Sequence, residues 1–405
     1  MTTTVKVNPD ILRWARETAG LSLEEASRKI QLKVTKKFSP IEKLQALEAG
    51  NIEPSRALLL RMVKQYHRPL ILFYMEKPPR KADRGQDFRI LPTSYPDITK
   101  GLVDALIRDV QVRQSILRAA IEDDDDVEYL PFVNSMKISD GIDTVVQSIL
   151  DKTKFVLEKY RNLPNQRDAF KYLRSQIENI GVYVLLIGDL GSHHTAFEVD
   201  EFRGFAIADK IAPFIVINNN DSQAAWSFTL IHELVHIWLG HSGISGGDIN
   251  SDLRIETFSN RVASSILLSE EDLAYIKLNA SIDYEDQKEI ISDFANLHNI
   301  SSSMVAYRLY LNGSLDLSTW KRLNRDFRNY WREAKNEQRV LQKVKSSGPT
   351  YYVVRGFHLG DNLITQVNQM ILGGSMTTVN AGKVLGVSPQ NVGNLIESKI
   401  SFRPQ

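Results

Sequence analysis

The chain has 405 residues and no cysteine, which excludes a disulfide framework and any thiolate-held metal. Its 50 basic and 49 acidic residues leave a net charge of +1, so a DNA-binding surface would have to be a local patch. Met1 to Lys6 lacks the apolar core of a signal peptide, and no apolar run approaches the roughly 20 residues that span a bilayer; the expectation is a cytoplasmic protein of two or three domains with no membrane contact.

Residues 1–75 read as a compact helical domain. Ile11 to Ala19 is an amphipathic helix stopped by Gly20, and Ser22 with Glu25 forms a capping box for a second helix through Ile30. A third runs from Ser39 to Ala49 and a fourth from Pro54 to Tyr66. The arrangement resembles the Cro/cI-type (XRE-like) helix-turn-helix, and Leu47 to Ser55 matches the stretch after its recognition helix. Gln31 to Phe38 is longer than the tight turn that sets the angle of that helix. Lys33, Lys36, Lys37 and Lys43 could contact the phosphates of operator DNA; a helical domain that docks protein is the equal alternative.

Residues 76–100 have the proline and charge content of a linker. Asp97 to Leu117 then shows helical spacing, and the acidic run from Glu122 to Asp126 reads as a solvated loop. Two helices are predicted between Asp140 and Ile180. The period changes to strands at Val182 to Ile187, Gly204 to Ala208 and Phe214 to Asn218. His193 and His194 fall in the loop between the first two strands and read as exposed.

Asn218 to Ser222 supplies N-cap oxygens, and neither Gly nor Pro interrupts the following run until Gly240. Trp226, Phe228, Leu230, Ile231, Leu234, Val235, Ile237, Trp238 and Leu239 make this helix apolar nearly all round, so it should be buried. It nonetheless carries His232, Glu233 and His236. Histidines four apart sit one turn above each other, where both imidazoles can reach one zinc ion. Glu233 is turned about 100° from His232, where it can take a proton from an activated water without being a ligand. Two satisfied core histidines with a chance glutamate is the bland alternative.

A third ligand must come from elsewhere. His241 is the near candidate, yet on a continued helix it points away from His232, and Leu239 and Ser242 stand where a metzincin needs Gly and His. Glu256 is the better one. It sits on a helix from Ile255 to Leu268 whose apolar face is Phe258, Val262, Ile266 and Leu267, with Asn260 one turn on to fix a ligand histidine through its other nitrogen.

His232-Glu233 with His236, followed by Glu256, Asn260 and Ala263, resembles the ImmA/IrrE family of zinc metallopeptidases. The approach from Glu201 to Asn218 resembles it too, and the likeness runs from about Gly181 to Leu323. It implies an α+β, predominantly helical protein with a zincin-like, gluzincin-type core and a small sheet. Zn2+ would be held by His232, His236 and Glu256, with Glu233 as catalytic acid/base. Where the family more often has Ala-Asn-x-Phe-Ala, this chain has Ser259, Asn260, Arg261, Val262 and Ala263, a departure in packing residues that keeps the ligands. The oxyanion stabiliser is open among His241, Tyr275 and Tyr307.

The implied substrate is a transcriptional repressor cleaved under stress. The rival is an antitoxin or DNA-binding regulator that neutralises a cognate PIN-like nuclease toxin and uses the peptidase fold as scaffold.

Beyond the site, Tyr284 to His298 and Ser302 to Leu311 form a helix-turn-helix-like pair that closes a core spanning 101–325. Residues 326–405 form a C-terminal helical unit. Trp320 to Val344 is a long charged helix, Tyr351 to Arg355 reads as a strand, and Thr377 to Ile396 is again helix, tight turn, helix. Few basic residues lie there, so partner contact, including a homodimer, is favoured over DNA.

Overall fold

The computed structural model describes residues 6–79, 96–123, 127–192, 195–245, 253–278, 282–344 and 350–400. His193, His194, Asp124 to Asp126 and most of the expected linker lie outside them. The chain divides into two compact units, Met1–Val110 and Gln111–Gln405.

In the first unit, α1 (Pro9–Thr18), α2 (Leu23–Lys29), α3 (Pro40–Glu48) and α4 (Arg56–Tyr66) are followed by a 3-10 turn at Leu70–Tyr74. Ser22 with Glu25 and Ser39 with Glu42 form reciprocal capping boxes that satisfy orphan N–H groups. Ile11, Leu12, Leu44, Leu47, Met62 and Phe73 close the core. Arg16 reaches across it to both carboxylate oxygens of the buried Glu48, at 2.7 and 3.0 Å. The α2–α3 connection passes through Gln31 at φ 56° and is the long one the sequence predicts. Helix α5 (Asp97–Glu122) takes in the first residue of the acidic run.

The second unit is α+β and mostly helical. Three helices, α6 (Ile142–Thr153), α7 (Leu157–Arg161) and α8 (Gln166–Glu178), stand where two are predicted, because Lys154 at φ 54° ends the first. Strands β1 (Tyr183–Leu186), β2 (Gly204–Ile207) and β3 (Phe214–Ile217) precede α9 (Gln223–Trp238), and β4 (Gly243–Ser245) follows it. The sheet order is β1-β3-β2-β4, with β1 and β3 parallel and the β2 pairings antiparallel. Every residue of the first three strands is buried, as a sheet covered on both faces requires.

Then come α10 (Leu253–Leu267), α11 (Glu270–Tyr275), α12 (Tyr284–Leu297), α13 (Ser302–Leu311) and α14 (Leu317–Val344). Helix α9 packs against α8, α10, β2 and β3, and its apolar side chains join one core with Ile149, Phe170, Ile217, Val262 and Val305. The last four helices are α15 (Tyr351–Leu359), α16 (Asp361–Leu372), α17 (Thr378–Leu385) and α18 (Val392–Ile400).

Tyr351 to Arg355 is therefore helix, not strand. Its β-branched and aromatic residues favour a strand locally, but α15 docks beside β1, where Arg174 binds the carbonyls of Phe357, at 2.5 Å, and of Val184. Packing overrides a propensity worth tenths of a kcal/mol per residue, a range of about 1 kcal/mol across residue types. Strand β4 and helices α11 and α16 have no counterpart among the elements the sequence predicts.

Candidate metal centre

Ser222 caps α9 by accepting the N–H of Ala225 at 3.2 Å. At the other end, the backbone N–H groups of Asn134, Ser135 and Met136 donate to the carbonyls of Ile237 and Trp238 at 3.0–3.1 Å. The last turn of this buried helix thus meets its hydrogen-bond requirement without solvent. Gly240 turns the chain away at φ 72°, and a Cβ there would lie 2.5 Å from the Asn134 side chain. His241 consequently leaves the helix; its N–H bonds the His236 carbonyl at 2.8 Å.

The helix brings His232 and His236 to one face, and α10 places Glu256 opposite them from its first turn, where the helix dipole favours a carboxylate. The three donors are mutually close. Nε2 of His232 lies 3.2 Å from Nε2 of His236, and the two lie 3.3 Å from Oε2 and Oε1 of Glu256 respectively. Donors bound tetrahedrally to zinc at about 2.0–2.1 Å are about 3.3–3.4 Å apart. The spacing and the N2O donor set fit that ion.

His232 and His236 are buried at 4 % and 6 % exposure. Burial works to raise the Glu256 pKa, but hydrogen bonds and charge attraction from the two histidines outweigh it and hold the carboxyl below the usual range. His241 lies outside this cluster.

Glu233 is fully buried against β2. A Cβ on Gly204 would stand 2.9 Å from its Oε1 and 2.8 Å from Thr229 Cγ2. Gly204 is thus what lets the strand approach the carboxylate. It lies within the run from Glu201 to Asn218, where spacing along the chain gives it no role. Asn260 lines the same cavity, but Nδ1 of His232 is buried with no hydrogen-bond partner, so the amide does not clamp that ring as the spacing predicts.

The cavity, about 960 Å³, is bordered by His232, Glu233, Glu256, Asn260, Phe228 and Tyr307. Of the three oxyanion candidates only Tyr307 reaches it. Tyr275 is 81 % exposed on the surface, and His241 is not part of the lining. Burial pushes the Tyr307 hydroxyl pKa up, which keeps it a proton donor. No sequence signal singles out Tyr307, because it arrives from α13.

In the first unit Lys33, Lys36 and Lys37 are exposed on the α2–α3 loop and Lys43 is half-buried on α3, none with a carboxylate partner among the described residues. Among the described residues, no helix is long and apolar enough to cross a membrane.

No curated protein and no solved structure matches the chain. Residues 178–310, the segment that carries His232, Glu233, His236, Glu256 and Tyr307, match the family model Peptidase_M78, the IrrE N-terminal-like domain.

Proposed function

We propose that the protein is a zinc-dependent endopeptidase that acts in regulation by cutting a partner protein, a transcriptional repressor being the substrate class that the family likeness favours. One observation carries the reading: three donor atoms lie 3.2–3.3 Å apart, and two of them, from His232 and Glu256, border the same cavity as Glu233, a fully buried glutamate that is not among the three. Two imidazoles buried in an apolar helix beside a half-buried carboxylate are costly unless something binds them.

Zinc held by His232, His236 and Glu256 would supply a Lewis acid for the scissile carbonyl and would acidify water. Glu233 then holds the proton taken at its carboxylate and returns it to the leaving amine. Its burial in an apolar wall keeps bulk water from competing. The Tyr307 hydroxyl donates a hydrogen bond to the carbonyl oxygen as charge grows there. Strand β4, an edge strand that directly follows α9, offers backbone groups to an extended substrate.

Glu233→Gln tests this reading, because it keeps size and hydrogen-bonding capacity while removing the proton acceptor. Coexpressed with the products of neighbouring genes, the variant should cleave its target about 10²–10⁴-fold more slowly than wild type at unchanged zinc content. Equal regulatory output from both proteins, with zinc retained, overturns the peptidase reading in favour of a binding regulator or antitoxin.

A further inference from the structure

Helix α14 lies C-terminal to the family-matched segment, yet it supplies one wall of the metal cavity. Trp320, Asn324, Phe327, Trp331 and Lys335 line it at steps of four, three, four and four along one face of the helix, and beyond Phe327 the neighbouring positions, Arg328 and Arg332 among them, border it as well. The two halves of that face are held by different physics.

The first half is anchored in the core. Leu323 is fully buried, and Trp320 stacks on Tyr310 at 5.0 Å. The Tyr284 hydroxyl donates to Asp326 at 2.7 Å, and the Arg322 guanidinium lies 3.6 Å over the Tyr284 ring. Between Arg328 and Lys335 the helix makes polar contacts to the opposite rim. Asp200, on the β2 side of the β1–β2 loop, pairs with Arg328 at 3.3 Å and Arg332 at 2.9 Å. The Lys335 ammonium donates to the backbone carbonyl of Asn220, in the turn before α9. Asp200 and Asn220 both border the cavity, so α14 bridges its mouth.

We propose that α14 is a strap over the metal site, anchored to the core through its first half and latched by Asp200. Arg328 and Arg332, one turn apart, grip the two oxygens of a single carboxylate, so removing that one group breaks both ion pairs. The pairs are 40–54 % exposed, which leaves them weak and screened by salt, as a latch that must release requires. With the latch closed, Glu233, His232 and Glu256 face a walled cavity; a peptide segment enters only when the second half of α14 lifts. The proposal rests on reading the triad as a metal site.

The test is made on the full chain. In zinc-loaded protein, Asp200→Arg turns both attractions into repulsions and should speed zinc extraction by dipicolinate roughly three- to tenfold. Because the chain has no native cysteine, Asp200→Cys/Arg332→Cys can be joined by a short bis-maleimide, which should slow extraction below the wild-type rate. In metal-free protein, Asp200→Arg should raise amide hydrogen exchange over 328–336 and leave 317–326 as it was. Extraction at the wild-type rate in both the repelled and the cross-linked forms overturns the strap, as does exchange over 328–336 that ignores the substitution. Failure to bind zinc at all would overturn the metal reading, and the exchange experiment would still decide the strap.

Discussion

Helix α9 and the loop between α2 and α3 both present polar candidates at short spacing, and they differ in what surrounds them. His232, Glu233 and His236 sit inside an apolar helix with exposures of 4, 0 and 6 %. Burial makes every unpaired polar atom expensive, so their neighbours are narrowly constrained, and Glu256 closes the set at 3.3 Å. Lys33, Lys36 and Lys37 are exposed, and water satisfies them wherever they point. A spacing rule applied to a buried helix therefore specifies geometry. The same rule applied to a solvated loop specifies only charge.

The comparison breaks most readily at the metal. His232→Ala or Glu256→Ala should each lower zinc affinity more than about 100-fold, since removing mere outer partners already costs about 10–100-fold. Metal analysis and competition with a chelator read this out, with His241→Ala as the control that keeps one zinc per chain. Zinc retained by Glu256→Ala and lost by His241→Ala would transfer the third ligand to the loop.

Gly204→Ala sharpens the contrast from inside the buried region. The added methyl would meet Thr229 and Glu233 at 2.8–2.9 Å. It should cost about 1–3 kcal/mol of stability as overpacking. Cleavage should fall by up to about 10²-fold if the carboxylate shifts by about 1 Å, with zinc retained. A variant with wild-type melting temperature and cleavage rate would show that Glu233 does not depend on the close approach of β2.

The smallest structural effect belongs to the exposed loop. Replacing Lys33, Lys36 and Lys37 together with alanine should leave stability within about 0.5 kcal/mol per site and zinc content unchanged. If the loop meets DNA phosphates, the slope of log affinity against log salt should shrink by about 0.9 for each phosphate that is no longer neutralised. An unchanged slope, with duplex DNA bound as before, removes these lysines from any interface.

What lies along the chain is legible in it. The limits of α9, the capping box at Ser22, the stop at Gly240, and the pairing of His232 with His236 all follow from the helical period and hydrogen bonds within a few residues. So do the three strands before the motif. Tyr351 to Arg355, the start of α15, reads wrongly as a strand because its aromatic and β-branched residues suit one until α8 and β1 are there to receive a helix. Glu256 can be nominated but not chosen by spacing alone. The bond that spacing predicts from Asn260 to a ligand histidine is not made to His232, whose Nδ1 has no hydrogen-bond partner.

By itself, then, the sequence determined which face of which helix carries His232 and His236, and that Glu233 turns aside from them, because i and i+4 geometry needs no partner. The tertiary structure decided that Glu256 and not His241 completes the set, that Gly204 must lack a side chain, that Tyr307 enters the cavity, and that α14 walls it. Those residues come from α10, β2, α13 and α14. Their convergence depends on how one shared core packs, a balance among many weak interactions that no local pattern encodes.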